Sequence, residues 1–406
     1  MEVNELKTII FIGTNKSGSS REATKAAESL GYFTVLFTSN ERQFEQRTEY
    51  EEIHKMIFLN TTDMNAMEAE VTKLQQLGFD IKLIVSFVDP YVHVAALLDE
   101  QFCQNLTSTR AIEIMEDKEQ TRTFLLNKSY SPQFTVLGPA DQLTGKVTFP
   151  LIIKSPKSTG SKDVLFASNH KELNKHLTTL RNKYPTEPII TEEYLKGEQY
   201  LVEVIVHNHQ PQIIAVIRQD ITKGKRFIIT GYQLFSNVPP NLSESLNKLC
   251  QSLVDTFELE TGAFHIELRL TNDGWKLIEI NPRISGGAMN KMIEAAFGFN
   301  LVEQTLKLYL GDEPDFTPKH TNFVYTKHLI VHHKGILEKV TGKNRALNCP
   351  GIYDVYVKPK KGTILIPPLS MGHRYAYIIA EGATLKEAVA RANRAASEIR
   401  FHMRRL

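Results

Sequence analysis

Polar side chains alternate with apolar ones in the segment KLIEINPR, which covers residues 276–283. Glu279, Asn281 and Arg283 occupy every second position, and such positions in a strand share one face. Carboxylate and amide oxygens are the ligands that Mg²⁺ prefers, and a guanidinium suits phosphate or a developing oxyanion. The segment therefore predicts a place where a metal ion meets an anionic group, with a solvated polar face as the alternative.

A hairpin in TGAFHIELRLTNDGWKLIEINPR brings a second carboxylate to this face. We interpret Asn-Asp-Gly as a three-residue loop with Gly in the left-handed position, which pairs Thr271 with Trp275. The facing pairs that follow are Glu267 with Glu279, His265 with Asn281, Ile266 with Ile280, and Leu268 with Ile278. Carboxylates directly opposite each other lie about 5 Å apart and repel unless a cation or a shared proton compensates. The hairpin therefore supports the metal site.

Basic residues beside small ones predict a polyphosphate site. Lys154 ends the strand FPLIIK and precedes the loop SPKSTGSKDV, while Lys118 lies in the helical segment EDKEQTR. A fixed positive charge beside Gly and Ser, whose backbone N–H groups can close around oxygens, is what phosphates need. The segment IITEEYLKGEQYLVEV could lend its backbone to an adenine, and a carboxylate such as Glu198 could bind ribose. Arg226 in QDITKGKRFIITG is a further basic candidate.

The elements that must position these residues fall into three regions. In the first ~115 residues, short apolar runs alternate with amphipathic helices, which predicts a parallel doubly wound sheet. The loop GTNKSGSS after the first strand fits neither Walker A nor GxGxxG, and it suits a phosphate site or the wall of a substrate cleft. An α+β region of roughly 200 residues follows, up to a linker at GDEPDFTP. The last ~90 residues mix strands such as YTKHLIVHHKG with a closing helix, TLKEAVARANRAASEIRFHMRRL.

Composition narrows the class of protein. The 406 residues include 48 basic and 46 acidic ones, a net charge of +2, which argues against nucleic acid or a membrane surface as the main partner. Cys103, Cys250 and Cys349 lack metal-site spacing, so we expect reduced thiols in a cytoplasmic protein. The N-terminus predicts neither a signal peptide nor a transmembrane span.

The chain resembles the ATP-grasp superfamily in the ordered motifs DK, IIKSP, STGSKDV, EEYLKGEQYLVEV, HIELRL and IEINPRISGG, across essentially all of its length. The resemblance implies an α/β and α+β architecture. Its implied parts are an N-terminal α/β domain (1–115), an ATP-grasp domain (116–315) and a C-terminal α+β cap (316–406). The ATP-grasp domain would divide into a lid-like subdomain (116–195) and a metal and catalytic subdomain (196–315). Asp163 departs from the pattern, since many relatives have a second Gly there.

The resemblance also implies ATP and Mg²⁺ as cofactors, with Mn²⁺ able to replace Mg²⁺, and it implies a role for each site residue. The implied phosphate ligands are Lys118, Lys154 and the loop residues Ser158, Gly160, Ser161 and Lys162. The implied nucleoside ligands are Glu192 and the backbone of Glu193, Tyr194 and Leu195 for adenine, and Glu198 for ribose. The implied metal ligands are Glu267, Glu279 and Asn281, with Arg283 and Lys154 as the catalytic residues.

Within the superfamily, the chain looks most like bacterial L-amino-acid ligases, which join two amino acids through an acyl phosphate. In that interpretation Ser285, Gly286 and Gly287 lie near a substrate carboxylate, and Arg283 holds the acyl phosphate. His265 would touch the metal or substrate, or be structural. The implied partners are amino acids and a second copy of the chain. The alternatives are an ATP-grasp enzyme acting on bicarbonate or formate, and a nucleotide-binding regulator without turnover.

Overall fold

The computed structural model describes residues 6–104, 106–144, 147–156, 163–223 and 227–406. The predicted phosphate-loop residues Ser158, Gly160, Ser161 and Lys162, and the basic candidate Arg226, lie outside these described residues.

The first region is a parallel sheet with the strand order β3-β2-β1-β4 and helices on both faces. Its elements are β1 (Leu6–Ile12), α1 (Ser19–Ser29), β2 (Phe33–Thr38), α2 (Glu41–Glu45), β3 (Lys55–Phe58), α3 (Met64–Gln76), β4 (Phe79–Val85) and α4 (Val92–Phe102). Ile9 and Phe11 pack with α1, whereas Ile10 and Ile12 pack with α3 and α4. Burial on both faces explains the continuous apolar run of β1 and confirms the predicted doubly wound sheet.

The second region is a small antiparallel sheet with the order β5-β8-β6-β7, preceded by two helices. Its elements are α5 (Thr109–Glu116), α6 (Lys118–Phe124), β5 (Phe134–Leu137), β6 (Leu151–Lys154), β7 (Val164–Ala167), α7 (His170–Lys183) and β8 (Ile189–Glu193). The Asp117 carboxylate caps α6 by accepting hydrogen bonds from the N–H groups of Glu119 and Gln120 at 2.8 and 3.0 Å. The cap makes Lys118 the first residue of that helix.

The rest of the chain is organised around a large antiparallel sheet with the order β13-β12-β9-β10-β11-β14-β18-β16. Its first half contains β9 (Glu198–His207), β10 (Gln210–Lys223), β11 (Phe227–Leu234), α8 (Pro240–Phe257), β12 (Gly262–Thr271), β13 (Gly274–Asn281), α9 (Met289–Phe297) and α10 (Leu301–Tyr309). Its second half contains β14 (Phe323–Leu329), β16 (Ile352–Val357) and β18 (Ala376–Gly382). A separate three-stranded sheet with the order β17-β15-β19 contains β15 (Gly335–Thr341), β17 (Ile364–Leu365) and β19 (Arg400–Arg405), and the helices of this part are α11 (Lys343–Leu347) and α12 (Leu385–Glu398). Strands on both sides of the predicted boundary at residue 315 therefore share one sheet, and the exact domain boundaries stay predictions.

Two sequence-based assignments near the C-terminus are wrong. The closing helix does not reach the end of the chain, because α12 ends at Glu398 and β19 follows. Phe401 and Met403 alternate on β19 and pack against the core beside β15, so burial on a sheet replaces another helical turn. YTKHLIVHHKG is also not one strand, since β14 ends at Leu329 and β15 begins at Gly335. None of the described helices is apolar over a length that would cross a bilayer.

Candidate active site

A cleft of about 960 Å³, including the space that opens to solvent, lies between the small sheet and the large one. Its apolar lining comes from both sheets and includes Ile152, Val164, Ile221, Phe227, Ile229, Ile278 and Met371. Its charged lining includes Lys118, Lys154, Glu192, Glu267, Arg269 and Glu279. An apolar slot that opens onto paired cations and carboxylates suits a ligand with one flat apolar end and one anionic end.

The wall at the apolar end is the segment that follows β8. The N–H groups of Glu193 and Tyr194 donate to the carbonyls of Gln133 and Pro150 at 3.0 and 3.1 Å, which fixes this backbone. The Tyr194 ring stacks with Phe227 at a centroid distance of 6.5 Å. The N–H groups of Glu193 and Tyr194 are therefore engaged within the protein. A ligand can contact this segment only through its remaining backbone groups, including those of Leu195.

Glu192 is buried between two cations. Its Oε1 accepts from Arg122 Nε at 2.6 Å and from Lys154 Nζ at 2.7 Å, and the three side chains are at most 7% exposed. Burial opposes the charge of Glu192, but Arg122 and Lys154 lower the pKa of this carboxyl. Burial lowers the pKa of Lys154 to about 8. The carboxylate predicted to bind adenine therefore neutralises and orients the predicted phosphate lysine, and Arg122 is a site residue that sequence reasoning missed.

The hairpin that carries the acids differs from the predicted register at its loop and agrees with it at the site. Thr271 pairs with Gly274 rather than Trp275, and Leu268 pairs with Leu277 rather than Ile278. A β-bulge at Ile278 then shifts the register by one residue. Beyond the bulge, the predicted pairs Ile266 with Ile280, Glu267 with Glu279, and His265 with Asn281 are confirmed. The bulged Ile278 lines the cleft, and its carbonyl accepts from Arg122 Nη2 at 2.5 Å.

The two facing carboxylates respond differently to their surroundings. Burial and the charge of Glu279 raise the pKa of Glu267 to about 7. Burial also opposes the charge of Glu279, but the ammonium groups of Lys118, 3.0 Å away, and Lys154 lower its pKa. Gln199 Nε2 donates to Glu267 Oε2 at 3.1 Å. A raised pKa on one member of the pair is the expected effect of two like charges that face each other.

These residues fit a Mg²⁺ ion that also binds phosphate. Mg²⁺ is commonly held by one or two carboxylates together with phosphate oxygens and water. Within the described ranges, no group of three or more His, Cys, Asp and Glu side chains could hold a metal ion. The candidate metal ligands are the two carboxylates of the Glu267–Glu279 pair and the amide of Asn281. The buried Gln219 amide makes no hydrogen bond of normal geometry, yet it lies close enough to favour the charged form of Glu267. This donor set is incomplete without a phosphate.

The carboxylate predicted to bind ribose lies beside the cleft rather than in its lining. Glu198 lies on the opposite face of β9 from the cleft, where it accepts from Tyr200 Oη at 2.8 Å and Arg218 Nη1 at 3.0 Å. It borders an adjoining opening rather than the cleft itself. Gln199 faces the cleft instead, because neighbouring strand residues point to opposite faces. Arg269 stands beside it, donates to Gln199 Oε1 at 3.1 Å and lies over the Tyr194 ring at 5.6 Å.

Arg283 joins the end of β13 to the N-terminal region. Its Nε donates to Asp89 Oδ1 at 2.8 Å and its Nη2 donates to Oδ2, a bidentate ion pair. Burial opposes the charge of Asp89, but Arg283 lowers the pKa of this carboxyl. The Arg283 carbonyl accepts from His265 Nδ1 at 2.9 Å. Burial and the Arg283 charge lower the pKa of His265 to about 4, so this histidine is neutral and helps to fix the backbone beside the metal ligands.

The segment after Arg283 is fixed by a buried acid that the sequence did not single out. Glu203 is 1% exposed and accepts from both the N–H and the hydroxyl of Ser285. Burial raises the pKa of Glu203 to about 7. The Ser285 carbonyl accepts from Ser19 Oγ at 2.7 Å, so the loop GTNKSGSS packs on the SGG segment, and Gly286 and Gly287 are exposed beside it. Because the N–H of Ser285 is engaged by Glu203, this residue contributes more directly to the packing of its own segment than to substrate binding.

Comparisons with known proteins agree with this architecture. Residues 147–291 match the family model of the ATP-grasp domain, and residues 327–404 match L-amino acid ligase C-terminal domain 2. The uncharacterised protein y4rH of Sinorhizobium fredii is 20% identical over 388 residues, which are 93% of this chain and 80% of that protein.

Two solved structures share the fold across nearly the whole chain. L-amino acid ligase from Bacillus licheniformis has a TM-score of 0.84 and 18% identity, with 99% of this chain and 100% of that chain covered. The biotin carboxylase domain of Hydrogenobacter thermophilus 2-oxoglutarate carboxylase, in complex with MgADP and bicarbonate, has a TM-score of 0.70 and 15% identity, with 98% and 91% covered. The predicted ATP-grasp fold with a C-terminal domain is confirmed, as is the resemblance to L-amino-acid ligases.

Proposed function

We propose that this chain, in which residues 147–291 match the ATP-grasp domain and residues 327–404 match L-amino acid ligase C-terminal domain 2, is a ligase that joins two amino acids. The reaction would convert ATP and one amino-acid carboxylate into an acyl phosphate and ADP. The amine of a second amino acid would then replace the phosphate and give a dipeptide. The alternative substrate class is another small acid, such as bicarbonate or formate.

The observation that carries the proposal is the facing pair Glu267–Glu279 beside two lysines. Lys118 Nζ lies 3.0 Å from Glu279, and Lys154 lines the same cleft. Two acids and two ammonium groups around one cleft suit a polyphosphate that carries a divalent cation, because each charge then has a partner. A protein that only packed its core would have no reason to place like charges opposite each other.

We assign the residues of the cleft as follows. Lys118 and Lys154 would bind the phosphates, and the Glu193–Leu195 segment with its apolar surroundings would hold the adenine. Gln199 replaces Glu198 as the proposed ribose contact, since it faces the cleft. Glu267, Glu279 and Asn281 would hold Mg²⁺, which when bound would neutralise phosphate charge. The assignments of the loop residues 158–162 and of Arg226 stay predictions.

The chain's own residues supply the rest of the chemistry. A substrate carboxylate oxygen attacks the γ-phosphorus, the bond from that phosphorus to the β-phosphate oxygen breaks, and ADP leaves. Arg283 can stabilise the oxyanions of the acyl phosphate, with Asp89 holding the guanidinium in place beforehand. The amine nitrogen then attacks the acyl carbon, loses a proton, and inorganic phosphate leaves. His265 and Glu203 hold the backbone on which Arg283 and Ser285 lie.

The test is phosphate release from Mg·ATP with all pairs of the twenty amino acids, with the products identified by mass spectrometry. The matched controls are Glu279→Gln, which removes a cleft carboxylate, and Glu244→Gln, which removes a carboxylate with 71% side-chain exposure. We expect phosphate and a dipeptide for certain pairs, with turnover lost only in the Glu279 variant. Phosphate release with bicarbonate or formate alone would overturn the dipeptide assignment, and no ATP consumption with any acid would favour a regulator. A homodimer stays a prediction that sedimentation analysis can test.

A further inference from the structure

The C-terminal domain places a guanidinium against the wall of the cleft. Arg374 lies just before β18, and its Nε donates to the carbonyl of Met371 at 3.2 Å. Its Nη1 donates to the carbonyl of Ile229 at 3.3 Å and to Tyr232 Oη at 3.1 Å. Met371 and Ile229 both line the cleft, so Arg374 is bonded to two residues of its wall. No motif in the sequence singles out this arginine.

The described contacts of Arg374 include no counter-ion. Within the described part of the chain, its hydrogen bonds go to neutral oxygens and no carboxylate forms an ion pair with it. By contrast, Arg21, Arg122 and Arg283 each pair with a carboxylate. A partly buried guanidinium is costly to keep without an anion, because the loss of hydration is not repaid by an ion pair.

The side chains around Arg374 hold it in place and add no negative charge. Its guanidinium carbon lies 5.7 Å from the centre of the Tyr232 ring. His328 packs edge-on to Tyr232 at 5.5 Å, and burial together with the charge of Arg374 keeps the pKa of His328 well below its ordinary value. Within the described residues the contacts of Arg374 are therefore neutral, and an anionic ligand would match its charge.

We propose that Arg374 binds an oxyanion of a substrate, which is either the carboxylate of the acceptor amino acid or a phosphate of the nucleotide. The proposal deepens the proposed function, on which it rests for the identity of these ligands. It gives the C-terminal domain a direct part in ligand recognition. The Nε and Nη1 of Arg374 are engaged by the protein and orient the group, and Nη2 is the donor that would meet an oxyanion.

The experiment measures binding and needs no turnover. Isothermal titration calorimetry of the full chain is carried out with Mg·ADP, with Mg·ATP, with each of the twenty amino acids in the presence of Mg·ADP, and with the carboxamide of each amino acid that binds. Wild type is compared with Arg374→Gln, which removes the charge, and Arg374→Lys, which keeps it without the fork. Arg400→Lys, at an exposed position of β19, is the matched control, and melting curves confirm that each variant folds.

A charge-assisted contact predicts that Arg374→Gln weakens binding about 30-fold, with Arg374→Lys in between. Weaker binding of an amino acid, with its carboxamide unaffected, would identify the carboxylate; weaker binding of Mg·ADP or Mg·ATP would identify a phosphate. Unchanged affinity for every ligand in both variants would overturn the proposal. If wild type couples no amino acids in the turnover assay but Arg374→Gln still weakens nucleotide binding, the oxyanion site stands and the ligase proposal fails.

Discussion

Replacing Glu192 by Gln should damage both the stability and the nucleotide affinity of this protein. The change keeps the size of the side chain but removes the charge that Arg122 and Lys154 share at 2.6 and 2.7 Å. Two buried cations then face each other without an anion. Removing one partner of a buried ion pair typically costs about 3–5 kcal/mol, and here one carboxylate serves two cations. We expect a loss at the upper end of that range in urea unfolding.

The same variant should shift the pH dependence of nucleotide binding. The pKa of Lys154 is about 8, and the charge of Glu192 is what opposes a further decrease. In wild type, affinity for Mg·ATP should therefore fall as the pH rises through about 8, because the ammonium loses its proton. In Glu192→Gln the pKa decreases further, and the loss of affinity should begin at lower pH. Calorimetry from pH 6 to 9 would measure both curves.

The pH dependence of the wild-type free energy of unfolding tests the lowered pKa of Lys154 independently of nucleotide binding. The folded pKa of Lys154 is below its ordinary 10.5, so between about 8 and 10.5 the unfolded state binds more protons. This lysine therefore makes the free energy of unfolding rise with pH across that window. Glu193→Gln is the matched control, since Glu193 is a half-buried neighbour that accepts from the Gln133 N–H at 2.9 Å. If the two variants proved equally stable with identical pH profiles, the assigned role of Glu192 would be refuted.

Three further predictions concern the cleft. Glu279→Gln should keep the fold but lower Mg²⁺-dependent phosphate release at least about 100-fold, because one of two facing carboxylates is lost. Full activity of this variant in a steady-state assay would contradict the metal assignment. Gln199→Ala should weaken Mg·ADP binding about tenfold in calorimetry while Glu198→Ala leaves it unchanged, and the reverse order would restore the sequence-based assignment. Asp89→Asn should lower kcat about tenfold with the KM for ATP unchanged, since Arg283 loses its bidentate partner. An effect confined to the KM for ATP would argue against a role of Asp89 in positioning Arg283.

The sequence by itself determined the architecture and the facing pair Glu267–Glu279, the carboxylates that we propose as metal ligands. Buried strands such as β1 are recognisable from uninterrupted apolar runs, because a parallel sheet is covered on both faces. Glu267 and Glu279 could be paired from the alternation of the hairpin, since a slip of one residue would bury charges. The predicted loop was wrong by one residue, and a bulge at Ile278 compensated for it before the site was reached.

Only the tertiary structure decided which charges meet across elements. Arg122 and Glu192 are 70 positions apart, and Arg283 and Asp89 are 194 apart, so no local pattern couples them. Glu203 and Arg374 gave no signal in the sequence, because an acid on a strand and an arginine in a loop usually face water. Only packing shows that Glu203 is buried and that the described contacts of Arg374 go to neutral oxygens. Alternation along a strand fixes which side chains share a face, but the three-dimensional arrangement of sheets decides which face closes over the cleft.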